Sequence, residues 1–201
     1  MGKYSQNNED AEVIKYFGDK VGTFIDIGAN DGITLSNSRA LVELGWTGAF
    51  VEPSPTSFNR LKENYKGIDG LYFYNYALGV TNGELEFWDS ETHLNQGDHG
   101  LLSTLSEDEK MRWKDQKYNK IKVECFRWRT FLNRLKIKQF DFISLDAEGL
   151  DLEILNQIDL RGTSCVCVEW NSVSGLKHEF DKLMIGFRLI YTSPENLIYA
   201  R

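Results

Sequence analysis

The stretch "TFIDIGANDG", Thr23 to Gly32, decides the fold. A short apolar run meets an aspartate and drives into a turn in which two glycines bracket Ala-Asn-Asp. An apolar run of this length, stopped by a glycine turn, reads as a buried strand. Downstream, "TLSNSRALVELG" (Thr34 to Gly45) reads as a helix ending on Gly45, a natural left-handed stop. "GAFVEP" is a second strand broken by Pro53. "SPTSFNRLKENY" then opens a helix with Ser54 as cap and Pro55 at its first position. "LYFYNYA" (Leu71 to Ala77) is a third strand.

Upstream, "NNEDAEVIKYF" predicts a helix capped by Asn8, with Ala11, Val13, Ile14 and Phe17 on one face. The middle of the chain changes character. "GELEFWD" alternates like a half-exposed strand, and "IKVECFRW" is its predicted antiparallel partner. Between them lie a polar loop from Ser90 to Leu105 and a helix start in which Ser106 and Glu109 form a capping box. The alternation resumes with helix "TFLNRL", strand "FDFISLD", helix "LDLEILNQI", strand "CVCVEW" and a helix through "KHEFDKLMI". "FRLIYTS" and "NLIYA" close the chain as a hairpin. Strands alternating with helices predict a mainly parallel α/β sheet with helices on both faces, a C-terminal antiparallel hairpin, and a small inserted hairpin at about 83–128. At 201 residues the expectation is one domain, with the chain starting so close to its first motif that it reads as cut from a longer protein.

Composition excludes several classes. No run approaches the roughly 20 apolar residues of a membrane span. The N-terminus lacks the apolar stretch of a signal peptide. Cys125, Cys165 and Cys167 are too few and too badly spaced for a disulfide framework or a zinc site, so a reducing, cytoplasmic setting is expected. Cys165 and Cys167 share one face of a strand and read as small core groups. Net charge is -7 but uneven, with eleven Lys or Arg against two acids between Lys110 and Lys138. That stretch reads as a solvated face or as a patch for an anionic partner such as a nucleotide-sugar or RNA.

In sheets of this kind ligands bind beyond the carboxyl ends of the strands, where strand order reverses. The turn Gly28-Ala-Asn-Asp-Gly32 departs from the dinucleotide pattern G-x-G-x-x-G, because Asn30 replaces the glycine that admits a pyrophosphate. No P-loop lysine follows either. The turn therefore suits a nucleoside ligand without a pyrophosphate. Glu52, which ends the second strand, stands near the spacing at which an acid captures ribose hydroxyls.

"DIGANDG", "SNSRALVELGWTGAFVEPSP", "NYALG", "LST" and "FDFISLDAEGLDLEIL", with "YSQNNEDAEV" ahead of them, resemble the FkbM family of S-adenosylmethionine-dependent methyltransferases. The resemblance runs in order from about Tyr4 to Asn171 and implies a Rossmann-like class I methyltransferase fold. By resemblance, Asp26, Gly28, Asn30 and Gly32 line the methionine part of the cofactor, with Gln6 and Ser36 beside them. Glu52 holds the ribose, and Pro53, Ser54, Asn75, Tyr76 and Ala77 frame the adenine.

Methyl transfer to a hydroxyl requires that the hydroxyl proton be managed, by a base or by a divalent cation. "SLDAEG" places Asp146 and Glu148 after the fourth core strand, and "CVEWN" places Glu169 and Asn171 after the fifth. Asp146, Glu169 and Asn171 form an oxygen-only set suited to Mg²⁺ or Mn²⁺, or equally a metal-free hydrogen-bonding site. Glu148 is a candidate catalytic acid or a helix N-terminal acid. His93 and His99 stand in the polar loop as candidate bases, and His99 joins Asp146 and Glu148 in the catalytic set. The expected acceptor is a sugar hydroxyl in a glycan or nucleotide-sugar, such as a deoxyhexose. RNA 2'-O methylation and a non-catalytic cofactor-binding module are the alternatives. Net acidity and the lack of a Lys-Asp-Lys-Glu set speak against RNA.

Overall fold

A computed structural model describes residues 4–94 and 97–201. Strands β1 (Thr23–Ile27), β2 (Thr47–Val51), β3 (Leu71–Tyr74), β7 (Phe142–Leu145), β8 (Cys165–Glu169), β9 (Arg188–Thr192) and β10 (Asn196–Ala200) form a seven-stranded sheet in the order β3-β2-β1-β7-β8-β10-β9. All pairings are parallel except those of β10 with β8 and β9. The expected C-terminal hairpin is therefore present, and the strand order reverses between β1 and β7. The central strands read as near-continuous apolar runs because both faces are covered. Phe24, Phe50 and Phe142 are fully buried on one face, where Phe24 meets Phe50 edge-on at 5.1 Å and Phe50 stacks on Phe73 at 5.6 Å. Burying each such ring contributes about 1.5–3 kcal/mol. Ile25, Val51, Ile143, Val166 and Leu197 fill the other face. Cys165 and Cys167 are buried free thiols, as their spacing predicts.

The inserted segment is larger than a hairpin. β5 (Gly83–Ser90) and β6 (Tyr118–Phe126) pair antiparallel as expected, but β4 (Ala77–Leu78) adds a parallel third strand beside β6. The reason lies in the predicted third strand, which breaks at Asn75. The Asn75 amide donates to the backbone carbonyls of Glu52 and Pro53 at 2.8 and 3.0 Å, so the chain leaves β2 there and crosses to the second sheet.

Helix α1 (Glu9–Phe17) forms without the predicted Asn8 cap. Asn8 is left-handed, and Glu9 and Asp10 instead receive the backbone N–H groups of Asn7 and Tyr4. The predicted Thr34–Gly45 helix is only α2 (Arg39–Glu43), because Asp31 takes the Ile33 and Thr34 N–H groups into a side-chain-closed turn. Helix α3 (Pro55–Asn64) is capped as predicted, the Ser54 hydroxyl accepting from Ser57 N. Ser106 likewise caps α4 (Glu107–Arg112), although its own N–H turns to Thr104 and not to Glu109. Helices α5 (Trp128–Leu132), α6 (Asp151–Leu155) and α7 (Leu176–Leu183) complete the layers. No helix among the described residues is long and apolar enough to cross a membrane.

Candidate active site

Strand register builds the site. Ile27 pairs with Val51 on one side and Leu145 on the other, and Leu145 pairs with Val168. The next residue of each strand, Gly28, Glu52, Asp146 and Glu169, therefore stands in one row at the carboxyl edge of the sheet. A cavity of about 370 Å³ opens on that row. Of the sequence-predicted residues it is lined by Gln6, Asp26, Gly28, Asn30, Ser36, Glu52, Pro53, Tyr76, Ala77, Asp146, Glu148, Glu169 and Asn171.

Four others are not brought to it. Gly32 backs onto the core, where a Cβ would lie 2.4 Å from the Tyr65 ring and 2.5 Å from Leu61. Ser54 is consumed in capping α3, and Asn75 in holding the β2 exit. His99 presents its backbone carbonyl to Asn30 Nδ2 at 2.8 Å and Ser57 Oγ at 3.1 Å, while its ring Nδ1 is buried without a partner. His93 does line the cavity, edge-on to Trp113 at 5.3 Å.

The two glycines of the opening turn answer to protein packing. Gly28 has φ +82°, and a Cβ there would sit 1.7 Å from the Asp146 carbonyl oxygen. Its missing side chain is what lets the end of β7 close against the end of β1. The turn's polar residues also serve the loop itself. Asn30 N donates to Glu52 Oε2 at 2.8 Å, and Ser54 N donates to Glu52 Oε1 at 2.7 Å. Each Glu52 oxygen is thus held by one backbone N–H. Burial pushes this carboxyl up to about 8 against those two stabilising bonds.

Burial also lifts Asp26 to about 6, although Ser38 Oγ donates to it at 2.5 Å. Asp146 is raised to about 7 by burial and by the charge of Asp26. Glu148, Asp151 and Glu169 are raised well above the ordinary carboxylate range, first by burial and then by one another and Asp146. Asp151 is spoken for, since it accepts from Ala147 N and Gly149 N and ties down the loop after β7. Asp146 Oδ1 and Glu148 Oε2 have no hydrogen-bond partner. One oxygen each of Asp146, Glu148 and Glu169 lies within 4.8 Å of the others, and the Asn171 amide rests against Glu169. Such a set can accept protons from a hydroxyl, or hold a hard cation.

Backbone strain concentrates here. Among the described non-glycine residues with positive φ, Asn30, Leu35, Glu148, Asn171 and Ser172 all line the cavity, and only Asn8 does not. Left-handed conformations in non-glycine residues cost about 1–3 kcal/mol and gather where a site demands an unusual backbone. Sequence reading missed several lining residues. Asn37 follows Ser36 directly, but a helical reading of that stretch hid it. Glu195 and Asn196 come from the β9–β10 turn, which reaches the site only because β10 inserts beside β8. Arg112 and Trp113 arrive from α4 of the inserted segment.

The profile of the methyltransferase FkbM domain matches residues 26–188. The chain belongs to the FkbM methyltransferase family. Its activity class is therefore S-adenosylmethionine-dependent methyl transfer, and its sheet is that of the class I methyltransferases. No curated protein sequence matches the chain. Among solved structures it is similar to the methyltransferase FkbM of Methylobacillus flagellatus KT, with TM-score 0.54 and 10% identity over 90% of this chain and 44% of that one. It thus spans less than half of that protein. Precorrin-6y C5,15-methyltransferase from Geobacter metallireducens GS-15 gives TM-score 0.55 and 13% identity over 100% and 92% of the two chains. Ribosomal protein L11 methylase from Lactobacillus delbrueckii subsp. bulgaricus gives 0.53 and 13% over 96% and 76%. At such identities these likenesses establish the fold.

Proposed function

We propose that this FkbM methyltransferase methylates a hydroxyl oxygen of a sugar, with Asp146 as the base. The observation that carries the reading is the carboxylate row: Asp146 opens to the cavity, has an unpartnered oxygen, and titrates at about 7. A base with that value accepts a hydroxyl proton near neutral pH, which typically contributes about 10²- to 10⁴-fold.

The cavity residues fit the cofactor. Glu52 offers one free lone-pair direction on each oxygen, matching two ribose hydroxyls. Tyr76, Ala77 and Pro53 frame the adenine, and Asp26, with Gln6 and Ser36, faces the amino-acid end. Bound S-adenosylmethionine supplies an electrophilic methyl on a sulfonium. The chain's part is to orient the acceptor hydroxyl in line with that methyl and to take its proton on Asp146, with Glu148 and Glu169 accepting from neighbouring hydroxyls. Trp113 and His93 give the cavity an aromatic wall of the kind sugar rings pack against.

A second reading of the acids is favoured by their spacing. Oxygens within 4.8 Å of one another come close to what a six-coordinate Mg²⁺ or Mn²⁺ requires, and Asp146, Glu148 and Glu169, with Asn171, would hold it. The cation would stabilise the alkoxide. RNA is disfavoured because acids flanking the basic stretch neutralise part of it: Lys110 with Glu107, Arg112 with Glu109, Lys120 with Glu86, and Lys122 with Glu84.

The test is incubation with methyl-labelled S-adenosylmethionine and a panel of defined glycosides, with and without chelator, read by mass spectrometry. Label on a glycoside oxygen is expected. Label only on nitrogen or carbon, or on no glycoside at all, would discard the reading. Loss of turnover in chelator, restored by Mg²⁺ or Mn²⁺, would select the cation over the protein base.

A further inference from the structure

The cavity has a one-sided hydrogen-bonding demand. Four buried oxygens without a partner, Asn37 Oδ1, Asp146 Oδ1, Glu148 Oε2 and Asn196 Oδ1, belong to residues that line it. The two amide oxygens are acceptors, and the two carboxyl oxygens are acceptors whenever their group is ionised. The other unpartnered buried polar atoms among the described residues, on Arg39, on the Tyr118 hydroxyl and on the ring of His99, belong to residues that do not line it. Several donors around the cavity are already spent. Asn30 Nδ2 serves the His99 carbonyl, Thr34 Oγ1 serves Asp31, Ser103 Oγ serves Asp89, and Ser172 Oγ serves the Pro194 carbonyl. Arg112 and Trp113 both donate to Glu109 Oε1, at 2.8 and 3.2 Å.

The lining also offers an anion no free cation. Asp26, Glu52, Asp146, Glu148, Glu169 and Glu195 line the cavity, and the only Lys or Arg among the described lining residues is Arg112, which is bound to Glu109. Leaving buried acceptors unpaired is costly, and so is burying an anion where no free cation pairs with it.

We propose that the acceptor half of the cavity selects a sugar that brings hydrogen-bond donors and no negative charge, an aminated sugar ranking first, its neutral counterpart second, and a phosphorylated one last. This rests on the sugar-hydroxyl reading and narrows it. Sugars carrying a phosphate or diphosphate near the reacting ring are poor acceptors.

The experiment uses the intact chain loaded with S-adenosylhomocysteine, in EDTA so that no divalent cation screens the acids. Three matched probes, a methyl glucosaminide, the methyl glucoside and its 6-phosphate, are compared by ligand-observed NMR. Labelled-methyl transfer to each is measured in parallel with S-adenosylmethionine in place of S-adenosylhomocysteine. The expected order is amino, neutral, phosphate, with first and last separated by at least about tenfold. Glu195→Gln, with its fold checked by circular dichroism, should narrow that gap two- to threefold, which selection by shape alone would leave unmoved. Arg112→Gln should keep the order. A phosphorylated probe that binds as well as the neutral one overturns the inference, and methyl transfer to any of the three would still uphold the sugar reading. Binding of none of the three overturns both.

Discussion

Glu52 is where the cofactor assignment can be broken most directly. Its carboxyl is 4% exposed, each oxygen accepts one backbone N–H, and burial lifts its titration to about 8. Two ribose hydroxyls donating to it require the ionised form. An acid titrating at about 8 is ionised in about 1% of molecules at pH 6 and about 90% at pH 9, so the association constant should rise by up to about 90-fold between them. Glu52→Gln removes that dependence, because an amide does not titrate. It also leaves one of the Asn30 and Ser54 N–H groups facing an NH₂, a buried unpaired donor costing about 1–3 kcal/mol. The stability of the ligand-free protein gives an independent check on the sign. Glu52 titrates higher folded than unfolded, so its contribution is whole below about pH 4.5 and is lost as pH climbs through 8, by at most about 5 kcal/mol. The variant should be less stable than the parent at pH 5, with the gap closing or reversing by pH 9. The assay is calorimetric titration with S-adenosylhomocysteine from pH 6 to 9, read as the ratio of the two proteins' affinities so that the ligand's own titration cancels. A ratio that stays constant with pH, or a variant that binds like the parent at pH 9, would refute the ribose role and the burial reasoning together.

Three further outcomes follow from the geometry. Asp146→Asn should cut turnover about 10²- to 10⁴-fold while S-adenosylhomocysteine affinity stays within a few fold, and near-normal turnover would remove Asp146 as the base. Gly28→Ala places a methyl 1.7 Å from the Asp146 carbonyl at φ +82°, so urea unfolding should show a loss of more than about 3 kcal/mol or no folded protein; an unshifted midpoint would contradict the closure of β1 on β7. Ser54→Ala removes the α3 cap and should cost about 1 kcal/mol, a fall of about 2–4 °C in Tm, with cofactor affinity kept within a few fold, because Ser54 caps the helix outside the cavity.

What could be read from sequence divides along a physical line. Strand identity and the row of acids at the strand tips follow from short-range signals: apolar runs, glycine stops, and a carboxylate directly after each run. Gly28, Glu52, Asp146 and Glu169 were accordingly found, and strand register then set them side by side. What was missed depends on contacts distant in sequence. Glu195 and Asn196 look like an ordinary hairpin turn until β10 inserts between β8 and β9, and Arg112 and Trp113 look like surface residues until α4 folds over the cavity. The glycines have a packing duty that the sequence does not show: Gly28 makes room for a carbonyl of β7's exit loop and Gly32 for the ring of Tyr65. The same local chemistry, a missing Cβ at positive φ, serves either purpose, and only the neighbour that fills the space tells them apart. That neighbour is itself informative. The residue whose carbonyl fills the space beside Gly28 is Asp146, so the backbone that closes the turn after β1 also positions the proposed base, and the turn and the proposed chemistry are built as one unit.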